Sequence, residues 1–225
     1  MRIAVVGTGM VGQSLAGGLA RVGHDVVIGT RDPEATIARE EPDAMGAPGF
    51  GVWYREHGDV PVRPSAVAVD GAEVVVNATN GVNSLAALEL VGSELLAGKV
   101  LIDVANALDF TTAPPSLVNL DGPSLAETIQ QRFPETRVVK TLNTMNANVM
   151  VEPTLVGDGN HSVFVCGDDD DAKGTVRTLL TQLGWRDVID LGDLTAAGTV
   201  EALLPIWLRL MGTLGTPLLQ FRIMR

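Results

Sequence analysis

Ile3-Ala4-Val5-Val6-Gly7-Thr8-Gly9-Met10-Val11-Gly12-Gln13-Ser14-Leu15 decides the fold of this 225-residue chain. Four apolar residues run into a glycine-rich turn and then into a helical pattern, which reads as buried strand, tight turn and helix. Gly7, Gly9 and Gly12 have the G-x-G-x-x-G spacing. The first permits the turn out of the strand, the second lets backbone approach a pyrophosphate, and the third lets the helix pack closely on the strand. The free N–H groups and positive dipole end of that helix make an anion site. A strand before and a helix after are the context in which this spacing signals a dinucleotide site.

Working outward, the length allows one good core, as a single domain or as a domain with a small appendage. A hydrophobic fraction of 46% fits a globular chain. The net charge of -11 argues against a nucleic-acid partner, because phosphate backbones reward the opposite sign. The lone cysteine, Cys166, excludes an internal disulfide and fits a reducing cytosol. The apolar run before Gly7 is too short for a signal peptide. The apolar C-terminal stretch carries Glu201 and Arg209 and is broken by Pro205, Gly212, Gly215 and Pro217, so no spanning helix is expected. The expectation is a cytoplasmic protein without a membrane partner.

A helix over 10–22 should stop at Gly23, and 25–29 reads as the next buried strand. At its end an NAD site carries an acid, about twenty residues past the glycines, to hold the ribose 2′-OH. Here the chain has Gly29-Thr30-Arg31. A hydroxyl and a guanidinium would hold a 2′-phosphate that a carboxylate would repel, so the cofactor read from these residues is NADP. Asp32 before Pro33 reads as a helix N-cap. Residues 42–64 read as a surface excursion, with Phe50, Trp53 and Tyr54 as its internal anchor or as a flap over the site.

Strands at 73–78, 100–104 and 137–142 alternate with helices at 84–91 and 124–133, the latter opened by a Ser124/Glu127 capping box. This rhythm predicts an α/β doubly wound parallel sheet, whose ligands lie beyond the carboxyl ends of the strands. Those ends, Thr79-Asn80-Gly81, Ala105-Asn106 and Asn143-Thr144-Met145-Asn146, carry amides, hydroxyls and small residues in place of acids and bases. A strand at 162–166 leads into four aspartates that read as a helix start, not as a metal site, and 187–190 as a last strand. From Thr195, read as a cap, the helical pattern is apolar almost all round and predicts burial, met through a symmetric dimer. The division expected is 1–152 for the dinucleotide-binding Rossmann part and 153–225 for a small C-terminal α/β extension ending in apolar helices.

No metal-ligand spacing appears, and His24, His57 and His161 read as surface residues, with Cys166 as a small buried hydrophobe. No catalytic side chain is expected. An NADP site beside a crevice poor in acids and bases suits hydride transfer to an acceptor that is itself a redox cofactor.

Gly7-Thr8-Gly9 with Gly12, Gly29-Thr30-Arg31, Val165-Cys166-Gly167-Asp168-Asp169-Asp170 and Val200-Glu201-Ala202-Leu203-Leu204-Pro205 together resemble the NADP-dependent reductases of the deazaflavin coenzyme F420, over essentially the full length. The resemblance implies that NADPH lies across Gly7, Thr8, Gly9, Met10, Val11 and Gly12, with its 2′-phosphate on Thr30 and Arg31. It implies Ala78, Thr79, Asn80, Ala105, Asn106, Met145 and Ala147 along the rest of the cofactor, the nicotinamide near Thr79, Asn106 and Met145. Coenzyme F420 would stack in a cleft closed by the C-terminal helix, against Leu203 and Trp207 and beside Asn146. Two alternatives stay open. Relatives similar to the cytosolic domain of the membrane metalloreductases pass hydride to an ordinary flavin, and an NADP-sensing protein would bind cofactor and turn nothing over.

Overall fold

The computed structural model describes residues 1–42, 48–109, 111–112, 115–118 and 122–225. Among them the strands are β1 (Arg2–Val6), β2 (Asp25–Thr30), β3 (Val62–Pro64), β4 (Val74–Asn77), β5 (Val100–Asp103), β6 (Leu108–Asp109), β7 (Ser116–Leu117), β8 (Arg137–Thr141), β9 (Ser162–Cys166) and β10 (Asp187–Asp190). Eight form one sheet in the order β10-β9-β8-β5-β4-β1-β2-β3, and β6 with β7 makes a separate antiparallel ribbon. From β3 to β8 every pairing is parallel. β9 then runs antiparallel to β8, with Lys140 opposite Cys166, and β10 parallels β9.

The helices are α1 (Met10–Arg21), α2 (Pro33–Ile37), α3 (Phe50–Glu56), α4 (Ser65–Val69), α5 (Ser84–Val91), α6 (Ser93–Leu96), α7 (Leu125–Arg132), α8 (Ala147–Val151), α9 (Asp170–Gln182), α10 (Ala197–Ala202) and α11 (Leu204–Leu214). The strand period of two explains the layering. Ile3 and Val5 face a core shared with α1, α3, α8 and α9, whereas Ala4 and Val6 face one shared with α4, α5, α7 and α10. Both faces of β1 are therefore covered, which is why its sequence is a continuous apolar run. The chain runs from β1 to β2 and β3 on one side and returns to β4 on the other. This reversal opens a crevice at the carboxyl ends of β1 and β4.

Several local readings hold. Gly23 follows α1 at φ +92°, Asp32 caps α2, and the Ser124/Glu127 capping box opens α7. Others need correction. The excursion at 42–64 contains a helix, α3, and an edge strand, β3; its residues 43–47 lie outside those described. Phe50 is fully buried and packs on Trp53 and Tyr54, so the cluster works as an anchor. His161 is buried, its Nε2 2.8 Å from the carbonyl of Pro153 and its ring edge-on to Trp185. Asp193, not Thr195, caps the C-terminal helical stretch, accepting from the backbone of Thr195 at 3.0 Å.

The apolar C-terminal stretch is also less covered than its pattern predicts. It turns at Leu203, and in α11 only Leu204 and Trp207 are buried. By length and composition alone Leu194–Leu214 could cross a membrane, at a mean hydropathy of 1.3. In the structure a third of that apolar stretch is buried, and the residues beyond it return to the sheet: the Ser162 amide donates to the Phe221 carbonyl at 2.9 Å, and Arg225 pairs with Asp187 at 2.8 Å.

Candidate cofactor site

The crevice is a cleft of about 720 Å³. Gly7, Thr8 and Gly9 line it from the turn after β1, and Thr30, Arg31 and Asp32 from the end of β2. Ala78, Thr79, Asn80, Asn83, Ala86, Ala87 and Leu90 line it from β4 to α5. The turn is possible only with glycine where it closes. Gly7 has φ +128°, and a Cβ there would lie 2.4 Å from the Ala78 carbonyl oxygen; a Cβ at Gly12 would lie 2.2 Å from that of Gly7. A Cβ at Gly9 meets nothing within 4 Å. The first turn of α1 has no side-chain cap, so its amides remain open to an anion.

The electrostatics at the end of β2 suit a phosphate. Arg31 is exposed and has no hydrogen bond or ion pair among the described residues. The Thr30 hydroxyl is 2.8 Å from that of Thr36. Asp32 lines the same cleft, but its Oδ1 accepts from the Ala35 amide at 3.0 Å and so is spent on the cap. Open amides, an unblocked Gly9 and an unpaired guanidinium fit the pyrophosphate and 2′-phosphate of NADP.

The other expected site residues lie outside this cleft lining. Met10, Val11 and Gly12 belong to the first turn of α1. Ala105 is buried, and Asn106 and Asn143 exchange hydrogen bonds: Asn106 Nδ2 donates to the Asn143 carbonyl at 2.8 Å, and Asn143 Nδ2 to Asn106 Oδ1 at 3.0 Å. Met145 is buried under the C-terminal tail, with Gln220 Nε2 3.7 Å from its sulfur. Asn146 caps α8, and Ala147 begins it. Leu203 is half-buried; Trp207 is buried and donates from Nε1 to the Leu219 carbonyl at 3.2 Å.

Beneath the strand ends lies a charged cluster that reading the strand tips as free of acids and bases misses. Asp103 ends β5 and Lys140 lies in β8, both with no exposed surface. Lys140 Nζ is 2.8 Å from Asp103 Oδ2 and 2.8 Å from Glu201 Oε1 of α10, and it also donates to the Ala105 carbonyl. Burial by itself would lower the Lys140 pKa, but the Asp103 and Glu201 carboxylates outweigh it and the pKa is raised. Glu201 also accepts from the Leu125 amide at 3.1 Å, so one carboxylate joins α10 to the start of α7. On the other side Asp103 Oδ1 accepts from Asn77 Nδ2 at 2.8 Å, and Asn77 Oδ1 accepts from the Thr79 hydroxyl at 2.7 Å. A hydrogen-bonded path thus runs from the C-terminal helices to the lip of the cleft. Its signal in the sequence is two opposite charges, Asp103 and Lys140, each interrupting or ending an apolar strand.

No group of three or more possible metal ligands occurs among the described residues. Cys166 is buried, and burial pushes its thiol up to about 12, so it stays protonated and unreactive near neutral pH.

The sequence profile of the family described as NADP oxidoreductase, coenzyme F420-dependent, matches residues 2–107. The F420-dependent NADP reductase of Methanothermobacter marburgensis is 30% identical over 93% of this chain and 92% of its own length. The solved structure of a candidate F420-dependent NADP-reductase from Arthrobacter sp. FB24 superposes with a TM-score of 0.94, at 55% identity and full coverage of both chains. Metalloreductase STEAP3 of Rattus norvegicus is 31% identical over 92% of this chain, which spans only 38% of that protein's length.

Proposed function

The chain belongs to the family of F420-dependent NADP reductases and is an NADP-dependent oxidoreductase, and from that premise we propose that it passes hydride between NADP(H) and the deazaflavin coenzyme F420. The observation that carries this reading is the cleft lined by the glycine turn and an unpaired Arg31, with the uncapped start of α1 directly after that turn and the nearby Asp32 engaged through Oδ1 as a helix cap. When bound, the nicotinamide supplies the hydride and the deazaflavin ring accepts it. The chain's own part is to bind and align. The amides of Met10, Val11 and Gly12 hold the pyrophosphate, and Thr30 and Arg31 hold the 2′-phosphate. Thr79, Asn106 and Met145 border the nicotinamide, with Ala78, Asn80, Ala105 and Ala147 around them. Leu203 and Trp207, with Asn146, border the acceptor. The acids and the base nearest these strand ends, Asp103, Glu201 and Lys140, are tied to one another, which supports a role in alignment and not in proton transfer.

In this reading 153–225 is the acceptor-binding and dimerisation part. The apolar residues left exposed there, Ile206 at 52%, Leu214 at 60% and Leu218 at 44%, support a homodimer, and light scattering at micromolar concentration tests it. The lone buried Cys166 is in keeping with a cytoplasmic location.

The test is an absorbance assay of NADPH with oxidised F420 and, separately, with FMN and FAD, using NADH as control. Bleaching of the deazaflavin alone, faster with NADPH, is the expected result. The 31% identity with a metalloreductase favours a second reading, NADPH-dependent flavin or metal-chelate reduction, and bleaching of flavin alone would select it. Silence with all three would leave another small acceptor or an NADP-sensing protein.

A further inference from the structure

The cleft holds a second guanidinium that the reading above leaves unused. Arg39 follows α2 and lines the same cleft as Thr30 and Arg31. Its Nη2 donates to the carbonyl oxygen and to the hydroxyl of Thr8, both at 3.1 Å. Its Nε and Nη1 have no partner among the described residues. The group is thus tied by Nη2 to the glycine turn and leaves Nε and Nη1 free to donate.

Its backbone is held as well. The Gly51 amide of α3 donates to the Arg39 carbonyl at 2.9 Å, and a Cβ at Gly51 would lie 2.4 Å from the Ile37 carbonyl oxygen. α3 is itself fixed by the fully buried Phe50, and Glu40, next to Arg39, pairs with both terminal nitrogens of Arg55. The aromatic excursion after β2 therefore braces the segment that carries Arg39.

We propose that Arg39 is a second specificity residue for the 2′-phosphate of NADP, reaching it from the glycine turn while Arg31 reaches it from the end of β2; this rests on the NADP reading of the cleft. In this fold the ribose 2′ position lies beside the end of the second strand, and the pyrophosphate lies on the helix amides. The 2′-phosphate is the remaining anion, and Arg39 comes from the segment directly after that strand. A guanidinium already anchored by Nη2 loses little freedom when Nε or Nη1 donates to a phosphate oxygen.

The test is calorimetric titration of the full chain with NADP⁺, NAD⁺, adenosine 2′,5′-bisphosphate and adenosine 5′-monophosphate, for wild type, Arg39→Ala, Arg39→Lys and Arg31→Ala, with a melting curve for each. Arg39→Ala is expected to weaken NADP⁺ and the bisphosphate by about tenfold or more, with NAD⁺, the monophosphate and the melting temperature unchanged. Arg39→Lys should fall between, because one ammonium nitrogen must then serve both Thr8 and the phosphate. Equal weakening of NADP⁺ and NAD⁺, or no weakening, overturns the role of Arg39. If the wild type binds NAD⁺ as well as NADP⁺, the NADP reading itself falls. If Arg31→Ala abolishes the preference and Arg39→Ala does not, only the inference about Arg39 falls.

Discussion

Arg31 and Lys140 are both cations in a chain of net charge -11, and the molecule treats them in opposite ways. Arg31 stands exposed at a cleft with no partner among the described residues, whereas Lys140 is sealed between two carboxylates. An unpaired exposed charge loses nothing to desolvation and is free to meet an anion. A buried one is tolerated only because its partners are in place before any ligand arrives. The first belongs to recognition, the second to the joint between strand ends and C-terminal helices. The contrast predicts that the two residues fail differently when removed.

The largest effect is expected at Lys140. Lys140→Met leaves Asp103 and Glu201 buried without their cation, and unfolding in urea should show a loss of about 3–5 kcal/mol. Because the Lys140 pKa is raised in the folded state, its contribution is fully present below the ordinary lysine value of about 10.4 and is lost as pH rises through the higher folded value. The wild-type advantage over Lys140→Met should therefore shrink as pH rises into strong alkali. An advantage that already falls between neutral pH and about 9 would break the comparison.

The next effect is at Arg31 and should leave stability alone. Arg31→Ala is expected to raise the NADPH KM far more than the NADH KM, by about 1.5–3 kcal/mol in binding, while the urea midpoint stays where it was. Equal changes with both cofactors would remove the 2′-phosphate role.

The same contrast separates what could be read in the sequence from what could not. Backbone-made features were legible. The β1 turn, the Asp32 cap and the Ser124/Glu127 box depend on residues a few positions apart, so spacing carries them. Features assembled across the sheet were not. Asp103, Lys140 and Glu201 come from β5, β8 and α10, and nothing local in any of them says that the other two are near. His161 was misread for the same reason, since its burial is made by Pro153 and Trp185. The reversed direction of β9 also depends on pairing, because an apolar strand looks alike in both directions. Arg39 lies between these cases: it follows the glycines and Arg31 closely in the chain, but its hold on Thr8 appears only once α2 folds back.

The smallest effect is at Asp32, and it sharpens the comparison most. Asp32 stands beside Arg31 near the place where an NAD-type site keeps the acid that holds the ribose hydroxyls. Its Oδ1 is instead 3.0 Å from the Ala35 amide, with Pro33 behind it at the first helical position. A cap and a ribose ligand make different demands. Asparagine can cap nearly as well as aspartate, whereas alanine cannot, at a cost of about 1 kcal/mol. Asp32→Asn should therefore keep the stability of the wild type and leave NADH binding unchanged, and Asp32→Ala should lower the melting temperature without a selective loss of NADH. Removing a negative charge from a cleft built for phosphate should also tighten NADPH slightly in the asparagine variant. If Asp32→Asn weakens NADH while sparing the fold, the carboxylate serves the ribose after all, and the cleft accepts both cofactors.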